Sequence, residues 1–254
     1  MNRLKGQIAN YIFPIITLIV MVVFWHILSL IINMQIILPK PIVALKEFIY
    51  CFKDKDFYAS CFSTLLRSII CYFACFIFGG ILAYISYKNQ KFKSAIQPII
   101  LVFRSIPTMS VILLVLFWIS DDVAPIIIAF IVVFPISYAN HLSGYQSLDL
   151  GVFKMAKVYK ISDKLLYKKY VFPTFLDRVL ESTVSELLLC FKIVISAEVM
   201  SETARGLGVL IKNSKHQLET GKLFAFTLTA LLIGFLLEII LKFIIKRLKK
   251  EGKV

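Results

Sequence analysis

Long runs of apolar residues restrict the folds open to this chain more than any other feature of the sequence. Apolar residues make up 59% of the 254 residues, against roughly 45 to 50% in soluble domains. A membrane-spanning helix needs about 20 mostly apolar residues, because the hydrocarbon core is about 30 Å thick. Six stretches qualify, at about residues 11–32, 69–87, 96–119, 123–141, 176–200 and 223–245. The sequence therefore predicts an all-α polytopic membrane protein with about six spans.

The first apolar stretch is too long for the apolar region of a secretory signal, and no small-residue cleavage site follows it. We therefore expect it to remain as a helix. The third and fourth stretches are separated only by Ser120, Asp121 and Asp122. This short polar break predicts a tight hairpin between two antiparallel helices.

Basic residues concentrate in every second connecting segment of a chain whose net charge is +14. They are Arg3 and Lys5; Lys88, Lys91 and Lys93; Lys154, Lys157, Lys160, Lys164, Lys168 and Lys169; and Lys242, Lys246, Arg247, Lys249, Lys250 and Lys253. Short cytoplasmic loops are rich in Lys and Arg. The alternation predicts a multi-pass protein of a bacterial-type inner membrane with both termini in the cytoplasm. Contact with anionic lipid explains the basic segments, so they need no nucleic acid.

Residues 144–173 form the one long basic connection between apolar stretches. Asp149 can cap a short helix at its start. Apolar residues then recur at helical spacing, at Val152, Met155, Ala156 and Tyr159. The segment therefore predicts an amphipathic helix at the cytoplasmic surface.

Ser162 can cap a second short helix in the same connection. Its apolar side holds Leu165, Leu166 and Tyr170, and we expect Pro173 to end it. Two interpretations of this helix pair stay open. The helices lie on the bilayer surface, or their apolar side enters the groove of a cytoplasmic partner.

The spacing from Lys154 to Pro173 resembles the cytoplasmic signature of binding-protein-dependent ABC importer permeases. That signature reads Glu-Ala-Ala, three residues, Gly, nine residues, Ile-x-Leu-Pro. Ala156 and Pro173 match it, whereas Lys154 stands in place of the Glu and Lys160 in place of the Gly. The resemblance implies a coupling loop that docks on an ATPase subunit, carried by Lys154, Met155, Ala156, Tyr159, Lys160, Ser162, Tyr170 and Pro173.

Further short segments resemble the nitrate, taurine and sulfonate branch of that family. They are Leu-Pro-Lys-Pro at 38–41, Ser-Thr-Leu-Leu-Arg at 63–67, Arg-Ser-Ile-Pro at 104–107, Ala-Glu-Val-Met at 197–200 and Gly-Leu-Gly at 206–208. We accordingly divide the chain into two parts. Residues 1–68 hold the N-terminal tail, the first span and an extracytoplasmic segment, and residues 69–254 form a permease core of five spans.

The resemblance implies a permease subunit of an ATP-driven importer that pairs with a second copy of itself or a close relative. Two cytoplasmic ABC ATPase subunits would carry ATP and Mg²⁺, and an extracytoplasmic binding protein would deliver a small organic or anionic solute. The sequence has no Gly-x4-Gly-Lys-Ser/Thr phosphate loop, so we expect no enzyme activity and no cofactor in this chain. The substrate cannot be read from the sequence.

Two other functions stay open. One is a diverged paralogue with weakened ATPase coupling, and the other is a stand-alone secondary transporter or channel. A membrane-embedded enzyme is disfavoured, because no concentrated His/Asp/Glu or Ser/His set is present. The five cysteines lack metal-finger spacing, and packing is the favoured explanation for Cys71 and Cys75 on one helix face. The three histidines share no local motif, so we expect no metal site.

Charges within the apolar stretches should face protein or water, because each costs about 2.5–3.5 kcal/mol at mid-bilayer. Most of them lie in the fifth stretch, which we therefore expect to line the translocation pathway. The candidates for pathway or gate residues are Arg104, Pro107, Glu186, Lys192 and Glu198. For Arg104, Glu186 and Lys192 a purely structural role also stays open.

The rotation of a helix separates two of these candidates. Glu186 and Lys192 are six residues apart, which is about 600° of rotation, so we expect them to meet different partners. Arg104 precedes Pro107, where a kink frees backbone carbonyls that its guanidinium could satisfy. We expect Glu198, at the outer end of its stretch, to act at a gate or a dimer interface.

Overall fold

The computed structural model describes residues 2–119 and 122–250, with side chains described at 13–119 and 122–249. Within these ranges every regular element is helical. The elements are α1 (Asn2–Ile32), α2 (Pro41–Cys51), α3 (Lys55–Lys88), α4 (Gln90–Ser105), α5 (Thr108–Trp118), α6 (Ala124–Gln146), α7 (Leu150–Val158), α8 (Asp163–Leu166), a π-helical turn (Tyr167–Val171), α9 (Phe172–Met200), α10 (Leu207–His216) and α11 (Thr220–Lys250). The all-α polytopic class predicted from the sequence is confirmed.

Four helices are long and apolar enough to cross a membrane: Phe13–Ile32 of α1, α3, α6 and Thr220–Lys249 of α11. The pair α4 and α5 makes a fifth span if the two are counted together. Helix α9 is 29 residues long, but any 18-residue stretch of it carries more charged residues than the most apolar stretch of that length in each of the four helices. The predicted number of six therefore depends on α9, whose two buried glutamates, Glu186 and Glu198, have partners within the protein that are described below.

The third predicted span is broken rather than continuous. Helices α4 and α5 meet at an angle of 95° across Ile106 and Pro107. The residue before a proline avoids the helical region, and Ile106 is extended with ψ of 128°. Pro107 thus does more than kink one helix, because it separates two. Of the predicted hairpin that follows, Ser120 and Asp121 lie outside the described residues.

The second predicted span begins much earlier than its apolar residues suggested. Helix α3 starts at Lys55, although the apolar run starts near residue 69. Its first half is helical despite several polar residues, because these are buried and bonded within the protein: Ser60, Thr64, Arg67 and Ser68. The apolar pattern therefore marked the apolar part of this helix and missed the part whose polar side chains are buried within the protein.

The chain forms two compact units, Met1–Tyr58 with Leu210–Ala230, and Ala59–Val209 with Leu231–Val254. In the first unit the ring of Trp25 stacks on that of Phe224 with centroids 5.2 Å apart. The Ser29 hydroxyl donates to the Leu38 carbonyl at 3.0 Å, which fixes the turn between α1 and α2. The functional division at residue 68 stays a prediction.

The second unit is built around α9, which packs along α6. Its buried core joins α3, α5, α6 and α9 and contains Cys71, Ile112, Ile128, Val133, Val194 and Ala197 among others. Helix α3 approaches α6 closely at Gly79, where a Cβ would lie 3.0 Å from the Tyr138 backbone nitrogen. This packing holds one face of α9 inside the protein and leaves the other exposed.

Candidate functional site

A buried carboxylate stands at the C-terminal end of α9, where the chain turns back into α10. Glu198 is fully buried. Its carboxylate accepts hydrogen bonds from Arg67 Nη1 at 2.7 Å, the Thr64 hydroxyl at 2.8 Å and the Gly208 N–H at 3.0 Å. Because a buried charge is stable only when it is paired and hydrogen-bonded, these three donors explain how Glu198 is accommodated.

The start of α10 is part of the same arrangement. The first N–H groups of a helix lack partners within the helix, and a negative charge is favourable there. Here the Leu207 N–H donates to the Thr64 hydroxyl at 2.8 Å, and the Gly208 N–H donates to Glu198. Side chains from α3 and α9 therefore cap a helix that is distant from α3 in sequence.

Arg67 extends the network from Glu198 to the connection between α5 and α6. Its guanidinium donates to the Asp122 carboxylate at 2.8 Å and to the Asp122 and Arg205 carbonyls at 3.1 and 2.7 Å. The Asp122 carboxylate also accepts from the Ala204 N–H at 3.1 Å. The set Thr64, Arg67, Asp122, Glu198 and the amides of 204–208 is called the α9 end network below.

Two glycines let the backbone pass close to Glu198. A Cβ on Gly206 would lie 2.5 Å from the Glu198 carboxylate carbon, and one on Gly208 would lie 2.5 Å from the Glu198 Cβ. Both distances are shorter than carbon atoms tolerate, so the Gly-Leu-Gly segment is required by steric fit. Sequence resemblance had identified the three segments 63–67, 197–200 and 206–208, and the structure brings them into one network.

The second predicted glutamate, Glu186, lies deep in the core of the unit. It is buried, and the Asn140 amide of α6 donates to its carboxylate at 2.6 Å. Nearby, the Tyr72 hydroxyl donates to Thr183 at 3.1 Å. The partner of Glu186 on another helix agrees with the helical-rotation argument. Sequence analysis missed Asn140, because a single amide in an apolar helix gives no signal of its partner.

The remaining pathway candidates lie on exposed surfaces. Lys192 is exposed on α9, and Arg104 is exposed in the last turn of α4. Pro107 is exposed at the break before α5. In the described part of the chain neither cation forms an ion pair, and Arg104 satisfies none of the carbonyls freed by the break. The structure separates these two residues from the α9 end network.

The predicted coupling loop contains two capped helices, and a hydrogen bond joins its two ends. Asp149 caps α7 by accepting from the Gly151 N–H at 2.7 Å, and Ser162 caps α8 by accepting from the Leu165 N–H at 3.4 Å. The Asp149 N–H donates to the Tyr170 hydroxyl at 2.7 Å, which ties the two ends of the loop together. Both predicted caps are confirmed.

Lys160 adopts a backbone conformation that usually belongs to glycine. Its φ is 53°, and the Ile161 and Lys160 N–H groups donate to the Ala156 and Lys157 carbonyls at 2.9 and 3.2 Å. These two bonds form a Schellman C-cap, which places one left-handed residue after the helix. The glycine of the family signature is thus a conformational requirement, and Lys160 meets it despite its side chain.

The residues predicted to form one apolar side of α7 differ in exposure: one is buried in the protein and others are exposed. Ala156 is buried at 3% exposure, whereas Met155, Val158 and Tyr159 are 59%, 77% and 74% exposed. Lys154 is exposed as well. The exposed apolar residues Leu150, Met155, Val158, Tyr159 and Ile161 are called the α7 face below.

Pro173 does not end a helix, contrary to expectation. Helix α8 continues through the π-helical turn into α9, and Pro173 lies in the first turn of α9. A proline lacks the N–H of a regular helix and its ring crowds the preceding turn. The wider π turn immediately before it, in which the Phe172 N–H donates to the Tyr167 carbonyl, accommodates the ring without a break.

Three cysteines form a further cluster that the sequence did not show. The thiols of Cys71, Cys75 and Cys190 are buried, and their sulfur atoms lie within 4.8 Å of one another. Three thiols at this spacing are chemically able to hold a soft metal ion. Cys190 was missed because its partners are more than one hundred residues away. The burial of Cys71 and Cys75 agrees with the packing role expected for them.

Comparison with known proteins gives a consistent family. The family model of the binding-protein-dependent transport system inner membrane component matches residues 76–250. The taurine transport system permease protein TauC of Escherichia coli (strain K12) is 22% identical over 236 residues, which cover 91% of this chain and 86% of TauC. The putative aliphatic sulfonates transport permease protein SsuC of Bacillus subtilis (strain 168) is 25% identical over 173 residues, 67% of this chain and 61% of SsuC.

Solved structures share the fold. An inward-facing structure of the MetNI methionine ABC transporter has a TM-score of 0.65 at 13% identity, covering 76% of this chain and 95% of that chain. The crystal structure of a bacterial ABC transporter involved in the import of the acidic polysaccharide alginate has a TM-score of 0.66 at 14% identity, covering 96% of this chain and 99% of that chain.

Proposed function

Since the chain belongs to the inner membrane components of binding-protein-dependent transport systems, we propose that it forms the membrane pathway of an ATP-driven importer and binds an ABC ATPase subunit through the α7 face. The observation that carries this proposal is the exposure of large apolar side chains on a short helix whose backbone is fixed. The permease itself carries out transport and is not an enzyme.

The α7 face has the properties of an interaction surface. Val158 and Tyr159 keep about three quarters of their area in contact with solvent, although burying apolar surface gains about 25 cal/mol per Å². Contiguous apolar patches on an otherwise polar segment mark sites of association. An amphipathic helix that enters a groove in a partner is a common mode of recognition.

Rigidity supports binding by a preformed surface. The loop is held by two caps, the Schellman turn and the bond from Asp149 to Tyr170. At its base the ring of Tyr145 stacks on Phe175 with centroids 4.1 Å apart. A surface that is already ordered loses little conformational entropy on binding.

The same proposal fixes the orientation of the chain. The loop carries Lys154, Lys157, Lys160, Lys164, Lys168 and Lys169, and Lys-rich loops stay in the cytoplasm. Both termini then lie in the cytoplasm, and the α9 end network lies at the outer surface. An extracytoplasmic binding protein would meet that outer surface, and a second permease copy would complete the pathway within the membrane lipid.

The relatives support a proposal for the partners and the solute. ATP and Mg²⁺ would be held by the ATPase subunits. TauC and SsuC are described as permeases for taurine and aliphatic sulfonates, so a small sulfonate-like organic solute is the substrate class we propose to test first.

Co-purification tests the proposal. We would express the chain with the ABC ATPase subunits of the same cell and compare wild type with Val158→Asp and Tyr159→Asp. Leu218→Asp is the matched control, because Leu218 is also apolar and 65% exposed but lies between α10 and α11. Ala156 is unsuitable, since a buried alanine changed to Asp disturbs the loop itself.

We expect ATPase to co-purify with wild type and the Leu218 variant, and to be lost by at least tenfold from the α7 variants. Equal recovery with all four proteins would contradict docking through the α7 face.

A further inference from the structure

The middle of α9 is unusual for a helix within a membrane, because every exposed residue between 182 and 199 is polar. Measured at 100° per residue, Ser185, Lys192 and Ser196 lie within about 40° of one another, and all three are exposed. The opposite side holds the buried residues Glu186, Cys190 and Val194. Lipid is a poor neighbour for the exposed face, so it should border water or another protein.

Lys192 lies far from either end of the span. Glu181, near one end, is about 17 Å away and Met200, at the other, is about 12 Å away along the axis, at 1.5 Å per residue. An ammonium at that depth costs about 2.5–3.5 kcal/mol in hydrocarbon. Lys192 therefore needs water or a negative partner.

The sign of the exposed charges is uniform. In the described parts of the membrane-spanning helices, every exposed Lys, Arg, Asp or Glu side chain without an ion pair is a cation. Most of these cations lie near the ends of the spans, at Lys55, Lys88, Lys91, Lys246 and Arg247. Lys192 and Arg104 lie away from the span ends. The acidic groups are already engaged. Glu186 and Glu198 are buried and hydrogen-bonded, Glu238 pairs with Lys242, and Asp177 and Glu181 pair with Lys249.

This uniform sign limits what can neutralise the two cations. If the second permease is an identical copy, its described spans also offer no exposed, unpaired acid. The remaining source of negative charge is a mobile anion in a water-filled pathway. A charged, low-dielectric channel concentrates ions of opposite sign.

From this geometry we infer that Lys192 and Arg104 line the pathway and make it electropositive, so that they determine its preference for anionic solutes. The inference rests on the proposed permease function and assigns the selective charges to two residues outside the α9 end network. Glu186 and Glu198 then act as structural residues behind the lining.

Thiol labelling of Lys192→Cys in membrane vesicles tests the inference without a known substrate. The probes are the anionic 2-sulfonatoethyl and the cationic 2-trimethylammonioethyl methanethiosulfonates, with each rate divided by its rate on free cysteine. Leu236→Cys is the control, because Leu236 is 54% exposed on α11 and should face lipid. Unsubstituted protein measures the background from the native cysteines.

We expect Lys192→Cys to react with both reagents, with the anionic reagent favoured about tenfold, because a potential of one to two kT acts with opposite sign on the two. Adding Arg104→Gln should bring the normalised ratio close to one. Leu236→Cys should stay at background. An unreactive Lys192→Cys, or a ratio unaffected by Arg104→Gln, would overturn the inference.

The proposed function can fail separately. ATPase co-purification depends on the α7 face, whereas the labelling ratio depends on the charges along the membrane pathway. If the anionic reagent is favoured at Lys192→Cys as expected but no ATPase co-purifies, the coupling proposal alone is rejected. If the ATPase co-purifies but Lys192→Cys is unreactive, the inference alone is rejected.

Discussion

The α9 end network and the α7 face lie in the same compact unit but reverse the usual relation between polarity and exposure. In the network, charged and polar side chains are buried, and each donor or acceptor has a partner in the chain. On the α7 face, large apolar side chains are exposed on a helix with a fixed backbone. The first region is complete within the chain, and in our proposal an ABC ATPase subunit completes the second.

Because of this contrast, we expect the network to determine the stability of the chain and the α7 face to determine its binding to the ATPase. Removing one member of a buried network leaves another charge without its partner, so the unfolding free energy should respond strongly. Removing an exposed apolar side chain leaves nothing uncompensated in the isolated chain. The two regions should therefore respond differently to mutation, the network through folding and the α7 face through binding.

The largest effect is expected at Arg67. Arg67→Ala leaves the fully buried Glu198 without its cation, which should lower the unfolding free energy by about 3–5 kcal/mol. Thermal unfolding of the purified chain in detergent would measure the loss. The control is Arg178→Ala, whose pair with Glu181 is exposed on both sides and should change stability by about 1 kcal/mol or less. If both variants lost similar unfolding free energy, the buried network would contribute no more to stability than an exposed ion pair does.

A smaller effect is expected at Gly208. In Gly208→Ala the new methyl group would lie under 3.0 Å from the Ile195 carbonyl oxygen and the Val199 backbone nitrogen, so overpacking should cost about 1–3 kcal/mol. Gly234→Ala is the matched change, because its nearest neighbour would be 3.9 Å away. The melting temperatures of the two variants should diverge. If Gly208→Ala were as stable as Gly234→Ala, the close approach at Glu198 would be refuted.

The smallest effect tests the backbone of the loop. Lys160→Gly removes a side chain from a left-handed residue and should stabilise the Schellman turn by about 1 kcal/mol. Lys157→Gly, the same change inside α7, should instead destabilise that helix by about 0.5–1 kcal/mol. Hydrogen exchange of the loop amides would report both. Faster exchange in the Lys160 variant would contradict the role given to this turn.

Patterns that depend on neighbouring residues could be predicted from the sequence. Apolar runs identified the membrane class, and the caps at Asp149 and Ser162 followed from short-range side-chain chemistry. The signature glycine position was found by spacing. Each of these signals is local, so one chain carries enough information to recognise it.

Features that depend on distant contacts were harder to predict. The early start of α3 was missed because buried polar residues such as Thr64 look like the end of an apolar span. Pro173 was expected to end a helix, but the π turn before it absorbs the ring. The bond from Asn140 to Glu186 and the thiol cluster of Cys190 join separate helices, and helical periodicity gives no information on such pairs.

Site-specific photo-cross-linking tests the central claim most directly. A photoreactive phenylalanine analogue would replace Val158 on the α7 face or, in a control protein, Leu218 between α10 and α11, and each chain would be co-expressed with the ABC ATPase subunits in intact cells. We predict a cross-link to the ATPase from position 158 and none from position 218. A cross-link from position 218, or lipid adducts alone from position 158, would contradict docking of the ATPase on the α7 face.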